Sequence, residues 1–229
     1  MKTFGDHLDQ YREYQQEIAE FTYLSRNTHT PIELGVVDGN PIYLFEAKTP
    51  NGVLVTSGWQ GDEPAGWGAS KVLCEKFPAV SFLPFASPAC FQTRQHKNDY
   101  GRNVDRNWPE VVTLEGKVLK SKLKDLIRLG SRCFVSLQED GKRFVPYYYG
   151  WSITDSMSAT IAETLKNHFP TYGEIEHTPP DRGLFCEYMK DQGCAMAVQI
   201  ETPADGSYTI SRRISCQVDV VSSLITLNF

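Results

Sequence analysis

Apolar residues recur along the chain at two spacings, one typical of helices and one typical of strands. Residues 7–25 follow the helical spacing, which predicts an amphipathic helix. Its apolar face consists of Leu8, Tyr11, Ile18, Phe21 and Leu24. Short extended runs follow at 32–37, 42–47 and 53–57, and they predict strands. The pair Asp38-Gly39 separates the first two runs and favours the tight turn of a β-hairpin.

The same alternation continues to the end of the chain. Strands are predicted at 79–85, 132–137 and 195–200. A helix is predicted after the Gly-rich turn that follows Ser57, ending at about Phe77, and further helices are predicted at about 117–129, at 155–168 and at 211–225. Residues 88–115 show little periodicity and predict a long loop, a frequent location of function in a compact domain. Strands that alternate with helices imply an α/β fold with a mixed, mostly parallel sheet and helices on both faces. We expect residues 1–229 to form a single domain, in which residues 1–30 are an N-terminal helical extension.

Composition and charge exclude several classes of protein. With 41% hydrophobic and 22% charged residues, the chain can bury a core and stay soluble. The formal net charge of −5 argues against a general nucleic-acid binder. The chain lacks an apolar run of about 18 residues that could span a membrane, and its polar N-terminus lacks the apolar region of a signal peptide. The six cysteines include no C-x-x-C pair, so we expect buried thiols in a reducing cytoplasm.

Polar side chains follow three of the predicted strands, at the point where each strand ends. They are Gln60 and Glu63 after the third strand, Gln138 to Asp140 after the strand at 132–137, and Glu201 after the strand at 195–200. Ligands of open α/β sheets bind at the carboxyl ends of the strands, so this pattern predicts an assembled site. Two simpler interpretations stay open, because the glutamines could be ordinary polar residues at strand ends. Glu63 could be a carboxylate favoured by the N-terminus of the following helix.

Four segments occur in an order that matches one known family. They read GWQGDEP at 58–64, GRNVDRNWP at 101–109, SLQED at 136–140 and QIETP at 199–203. They resemble the segments G-x-H-G-x-E-P, G-V-D-L-N-R-N-F-P, S-L-H-E-D and T-V-E-x-P of the M14 zinc carboxypeptidase family, which includes small bacterial murein-peptide and acyl-amino-acid relatives. The resemblance extends from about residue 33 to residue 225, and it implies the fold of that family.

The resemblance also implies a metal site at residues 60, 63 and 138. The family binds one divalent metal, zinc, through two histidines and a glutamate, whereas this chain has Gln60, Glu63 and Gln138. An amide oxygen is a weaker, harder donor than imidazole, so we expect weaker zinc affinity than at a His-Glu-His site. The histidines His7, His29, His168 and His177 have no ligand spacing, and we expect them at the surface.

The remaining roles that the resemblance implies concern proton transfer and substrate binding. Glu201 matches the family's general base, and Arg106 with Asp105 matches the pair that binds the substrate's carboxylate end. A gapless match puts His96 where the family has the arginine that stabilises the oxyanion, and Arg94 lies two residues earlier as the candidate for that role. Tyr188 is the candidate for the family's substrate-facing tyrosine.

Three functions agree with these residues. The first is a metal-dependent carboxypeptidase-type hydrolase of short peptides such as murein fragments, with Glu201 as the general base. The second is a pseudoenzyme that binds a peptide or amino-acid ligand without hydrolysis, which the loss of both histidines favours. The third is an N-acyl-amino-acid deacylase of the desuccinylase and aspartoacylase type, which shares the fold. In each case the partner is a small peptide or an amino-acid derivative.

Overall fold

A single mixed sheet forms the centre of the protein. The computed structural model describes residues 4–97, 101–141, 145–171, 176–177, 183–204 and 206–228. Within these ranges the strands are β1 His29–Val37, β2 Asn40–Ala47, β3 Val53–Thr56, β4 Ser81–Leu83, β5 Cys133–Asp140, β6 Tyr147–Trp151, β7 Glu176–His177 and β8 Ala197–Pro203. Their order across the sheet is β1-β2-β4-β3-β5-β8-β6-β7. The four central strands, β4, β3, β5 and β8, are parallel, and antiparallel pairs flank them on both sides. This confirms the predicted mixed, mostly parallel sheet.

Helices cover both faces of the sheet. They are α1 Phe4–Ser25, α2 Pro64–Lys76, α3 Pro88–Thr93, α4 Leu114–Ser121, α5 Leu123–Leu129, α6 Asp155–His168, α7 Phe185–Asp191 and α8 Ile210–Asn228. Side chains alternate across β3, so Val53 and Val55 pack in one core with residues of α1, α2, α6 and α8. Leu54 packs in the second core with residues of α4, α5 and α7. Each face therefore has its own hydrophobic layer, as expected for this fold class.

The hairpin predicted at Asp38-Gly39 is confirmed, whereas the loop predicted at 88–115 and the helix predicted at 117–129 are partly wrong. Asp38 and Gly39 both have positive φ, 48° and 79°, as the predicted hairpin turn between β1 and β2 requires. The predicted loop at 88–115 is wrong at its start, because α3 forms there. Pro88 occupies its first turn, and the Ser87 hydroxyl caps the helix by accepting from the Cys90 amide at 3.4 Å. The predicted helix at 117–129 is two helices, which break at Lys122.

Burial contradicts one expectation and confirms another. His29 is 2% exposed, so its predicted surface position is wrong. Its Nε2 lies 2.7 Å from the Val80 carbonyl oxygen and its Nδ1 lies 2.8 Å from the Thr28 hydroxyl, which satisfies both ring nitrogens. All six cysteines are free and buried, as predicted. Among the described residues, every helix is too short or too polar to cross a lipid bilayer.

Candidate active site

A cavity of about 630 Å³ opens at the carboxyl ends of β3, β5 and β8. Six of the predicted site residues line it, namely Gln60, Glu63, Asp105, Arg106, Gln138 and Glu201. The parallel pairing of β5 with β8 puts Gln138 and Glu201 in register. Partners in register on neighbouring parallel strands point to the same face of the sheet, so both side chains reach the same cavity.

The turn after β3 delivers Gln60 and Glu63 to the cavity. Gly58 has a φ of 62°, and a Cβ there would lie 2.6 Å from the Pro84 carbonyl oxygen, so the turn requires glycine. Glu63 is the N-cap residue of α2, yet its side chain makes no capping hydrogen bond. Gln60 Oε1 and Glu63 Oε2 are buried and have no hydrogen-bond partner among the described residues. Buried oxygens without a partner are costly, and in the cavity wall both oxygens are available to bind a ligand.

Asp105 fixes the orientation of Gln138. Gln138 Nε2 donates to Asp105 Oδ2 at 2.8 Å and to the Ser136 hydroxyl at 3.1 Å, which assigns the amide nitrogen to the protein side. Asp105 is 1% exposed and also accepts from the Phe185 amide at 3.4 Å. Burial raises the pKa of Asp105 to about 6, although the hydrogen bond from Gln138 lowers it. The carboxylate that was predicted to bind substrate therefore positions Gln138.

Glu201 is a buried carboxyl group on the cavity wall. The side chain of Gln199, two residues earlier on the same face of β8, donates to Glu201 Oε1 at 2.8 Å. Burial raises the pKa of Glu201; the hydrogen bond from Gln199 and the nearby Arg106 partly offset this increase, while Asp140 and Asp105 add to it. Burial and the Glu201 carboxylate likewise raise the pKa of Glu63 well above its usual value. Two buried carboxyls that disfavour each other's charge are a pattern typical of functional sites.

Glu139 connects the site to the opposite face of the sheet. It accepts from the Ala65 amide at 2.7 Å, in the first turn of α2, and it pairs with Arg213 of α8. Burial raises the pKa of Glu139 to about 7, although the Ala65 amide and Arg213 lower it. Glu139 therefore holds the start of α2, and with it the neighbouring Glu63, against β5 and α8.

Two predicted site residues lie outside the cavity. Arg94 Nη2 lies 2.9 Å from Glu13 Oε2, and its guanidinium lies over the Phe91 ring. Tyr188 stacks on Trp108 with ring centroids 5.2 Å apart. The structure thus does not bring either side chain to the residues that it assembles around Glu63 and Glu201.

Further residues line the cavity, among them His96, which the gapless match places at the position of the family's oxyanion-stabilising arginine. His96 and Asp62 line it beside Glu63. Tyr147 of β6 lines it as well, opposite Glu201 in the antiparallel pairing of β6 with β8, and donates its hydroxyl to Asp140 Oδ2 at 2.8 Å. The three consecutive tyrosines at 147–149 were the sequence feature that could have indicated a strand here. Alternate residues of a strand face the same side, so one face of such a strand can line a cavity.

Comparison with known proteins establishes the fold. No protein-family model matches the sequence, and a search of curated proteins gives no match. A candidate metallopeptidase from Shewanella denitrificans OS217 is 22% identical and matches 94% of this chain and 89% of its own, with a TM-score of 0.81. A metallo-carboxypeptidase from Burkholderia cenocepacia is 15% identical and matches 93% of this chain and 68% of its own, with a TM-score of 0.73. The fold is that of the metallo-carboxypeptidases.

The residues of this carboxypeptidase-like fold fit a divalent cation, although not the usual zinc donor set. The unpartnered oxygens of Gln60 and Glu63 are buried on the cavity wall, and the amide nitrogen of Gln138 is turned toward Asp105. Gln60, Glu63 and Gln138 together offer oxygen donors with a single carboxylate. Such donors suit hard cations better than zinc, which favours imidazole and thiolate.

The cation-free protein is expected to become more stable as the pH falls from about 8 to about 6.5. The pKa of Glu139 is about 7 and that of Asp105 is about 6 because both are buried, whereas unfolded carboxyls titrate near about 4. The folded state therefore holds protons that the unfolded chain has released, and stability decreases as the pH rises through these values. Urea unfolding should show a gain of at least about 1 kcal/mol at the lower pH.

A Glu139 variant serves as the control for this pH dependence, and His29 sets the lowest pH at which the gain in stability is expected. Glu139→Gln should reduce the slope, because it removes one of the titrating groups. Burial lowers the pKa of His29, so its protonation in the unfolded chain opposes the gain below about pH 6.5. Equal stability at both pH values would contradict the raised pKa values of Glu139 and Asp105.

Proposed function

We propose that the protein is a metal-dependent hydrolase of the carboxypeptidase type, which removes the C-terminal residue of short peptides such as murein fragments. The observation that carries the proposal is the pair of buried, unpartnered oxygens, Gln60 Oε1 and Glu63 Oε2, on the wall of the cavity that also contains Glu201. The carboxypeptidase-like fold supports the same reaction class.

Glu63 is an anionic ligand of the proposed cation, and Gln60 and Gln138 contribute amide oxygens. A divalent cation in such a site supplies Lewis acidity, which polarises a carbonyl group and lowers the pKa of water. Asp105 supports this arrangement because it holds the amide nitrogen of Gln138 at 2.8 Å. Outer contacts of this kind orient ligands and tune their affinity.

The chain's own groups supply proton transfer and substrate orientation. Glu201 takes a proton from water and delivers it to the leaving amine, and the amide of Gln199 holds its Oε1 in place. Arg106 pairs with the terminal carboxylate of the peptide, a task that suits its planar guanidinium. The strand β8 holds Gln199 and Glu201 in place before the substrate binds.

The proposal is tested by peptide hydrolysis with free and amidated C-termini in the presence of manganese, cobalt or zinc. Release of the C-terminal residue only from the free acid is the expected result. Arg106→Ala should raise KM for the free acid, whereas Arg102→Ala, an exposed arginine four residues earlier, should leave it unchanged. Equal cleavage of acid and amide would contradict a carboxypeptidase. Cleavage of N-acyl amino acids but not of dipeptides would instead indicate a deacylase.

A second candidate function is ligand binding without hydrolysis. The observation that favours it is the replacement of imidazole by amide at both Gln60 and Gln138, which weakens a catalytic zinc site. Calorimetry that detects a bound dipeptide, together with no product after long incubation with each metal, would support this candidate over the hydrolase.

A further inference from the structure

A backbone contact joins the turn after β3 to the loop after α3. The Gly61 amide donates to the Gln95 carbonyl oxygen at 2.8 Å. A Cβ at Gly61 would lie 1.6 Å from the Cys90 carbonyl oxygen, so the two segments can only be this close with glycine there. Arg94, with a φ of 52°, ends α3 and directs the chain toward this contact. The fold therefore holds His96, the residue after Gln95, beside the segment that contains Asp62 and Glu63.

The side chains of these three residues converge. His96 Nδ1 lies 3.8 Å from Glu63 Oε1 and 3.8 Å from Asp62 Oδ1. Their ligand atoms all lie within 4.8 Å of one another. Two atoms that are each bonded to one metal at about 2.1–2.2 Å, with angles of about 110–120°, are about 3.4–3.8 Å apart. The two distances from His96 Nδ1 are thus those expected of ligands of a single ion.

We infer that His96 and Asp62, together with Glu63, are ligands of a divalent cation. The buried, unpartnered Glu63 Oε2 is a second observation that points to a ligand at this position. Imidazole is the donor that Gln60 and Gln138 lack, and a second carboxylate neutralises the charge of the cation. The inference deepens the proposed function. It rests on that function in one respect, because both place the cation at Glu63.

Cobalt(II) titration of the purified full-length chain tests this site, with the visible absorption spectrum and calorimetry as readouts. His96→Ala should weaken cobalt binding by at least about tenfold, since even the loss of an outer contact to a ligand costs that much. It should also change the absorption spectrum, because a nitrogen donor is lost. Asp62→Asn should weaken binding as well. Both side chains are about half exposed, so neither variant is expected to unfold, and thermal unfolding checks this.

The matched control is His168→Ala. His168 also lies beside one carboxylate, with its Nε2 2.9 Å from Asp219 Oδ2, but outside the cavity. This variant should leave cobalt affinity and the spectrum unchanged. Cobalt affinity and a spectrum that survive His96→Ala intact would overturn the inference, as would a parent protein that binds no cobalt.

The inference and the proposed function can fail separately. Cobalt binding that depends on His96, without hydrolysis of any peptide, supports the site and contradicts the hydrolase. Metal-dependent hydrolysis that is sensitive to Gln138→Ala but insensitive to His96→Ala supports the hydrolase and overturns the role of His96.

Discussion

Replacing Glu201 with glutamine should lower kcat for peptide hydrolysis by about 10²–10⁴-fold, the usual contribution of a positioned general base. Glutamine has nearly the shape of the carboxyl group, so the packing at the end of β8 should persist. The amide cannot accept the proton of the attacking water, and the chemical step is lost. Because Glu201 acts in the reaction rather than in binding the terminal carboxylate, KM should change little.

Two measurements complete the test of Glu201. Cobalt affinity of Glu201→Gln should stay close to that of the parent, which separates proton transfer from cation binding. Glu33→Gln, the same chemical change at an exposed position of β1, controls for the general effect of removing a carboxylate. Activity of Glu201→Gln within about threefold of the parent would contradict its role as the base.

Replacing Arg213 with alanine should destabilise the protein by about 1.5 kcal/mol at pH 8, because uptake of a proton by Glu139, whose pKa is about 7, limits the cost of the unpaired charge. The Glu139 side chain is fully buried, and it pairs with Arg213 and with the Ala65 amide. Removal of one partner of a buried pair leaves an uncompensated charge, which is more costly than the net value of the pair. The start of α2 should loosen with it, so the affinity of Glu63 for a cation should also decrease.

The pH dependence identifies the mechanism of this loss. The pKa of Glu139 is about 7 because the group is buried. At about pH 6 the carboxyl can take up a proton, and the penalty for Arg213→Ala should be smaller than at about pH 8. Arg128→Ala, which removes an exposed ion pair with Glu46, should cost only about 0.5 kcal/mol. Equal losses for the two variants in urea unfolding would contradict a buried pair.

Periodicity could predict the layers of the fold because the local signals agree with the tertiary structure. Val53, Leu54 and Val55 lie in a continuous apolar run, and both faces of β3 are indeed buried. The strand β6 was missed although the tyrosines at 147–149 favour a strand, because its pairing with β8 joins segments that are far apart in the sequence. The break at Lys122 was missed because both helices have the same apolar spacing.

The candidate site could be predicted where it follows strand ends, and not where it depends on loop geometry. Gln138 and Glu201 meet because parallel strands end at the same edge of the sheet. The hydrogen bond between Asp105 and Gln138 joins a loop to a strand over 33 residues of sequence, and no spacing rule gives such a contact. The same holds for His96, which reaches Glu63 only through the Gly61 backbone contact.

The rate of peptide hydrolysis by chelator-stripped protein, before and after addition of a divalent cation, shows directly whether this site is that of a metal-dependent hydrolase. Hydrolysis should be negligible without the cation, should recover as about one cation binds per chain, and should not recover in Glu201→Gln. Full activity of the stripped protein, or no activity with any divalent cation, would contradict a metal-dependent hydrolase at this site.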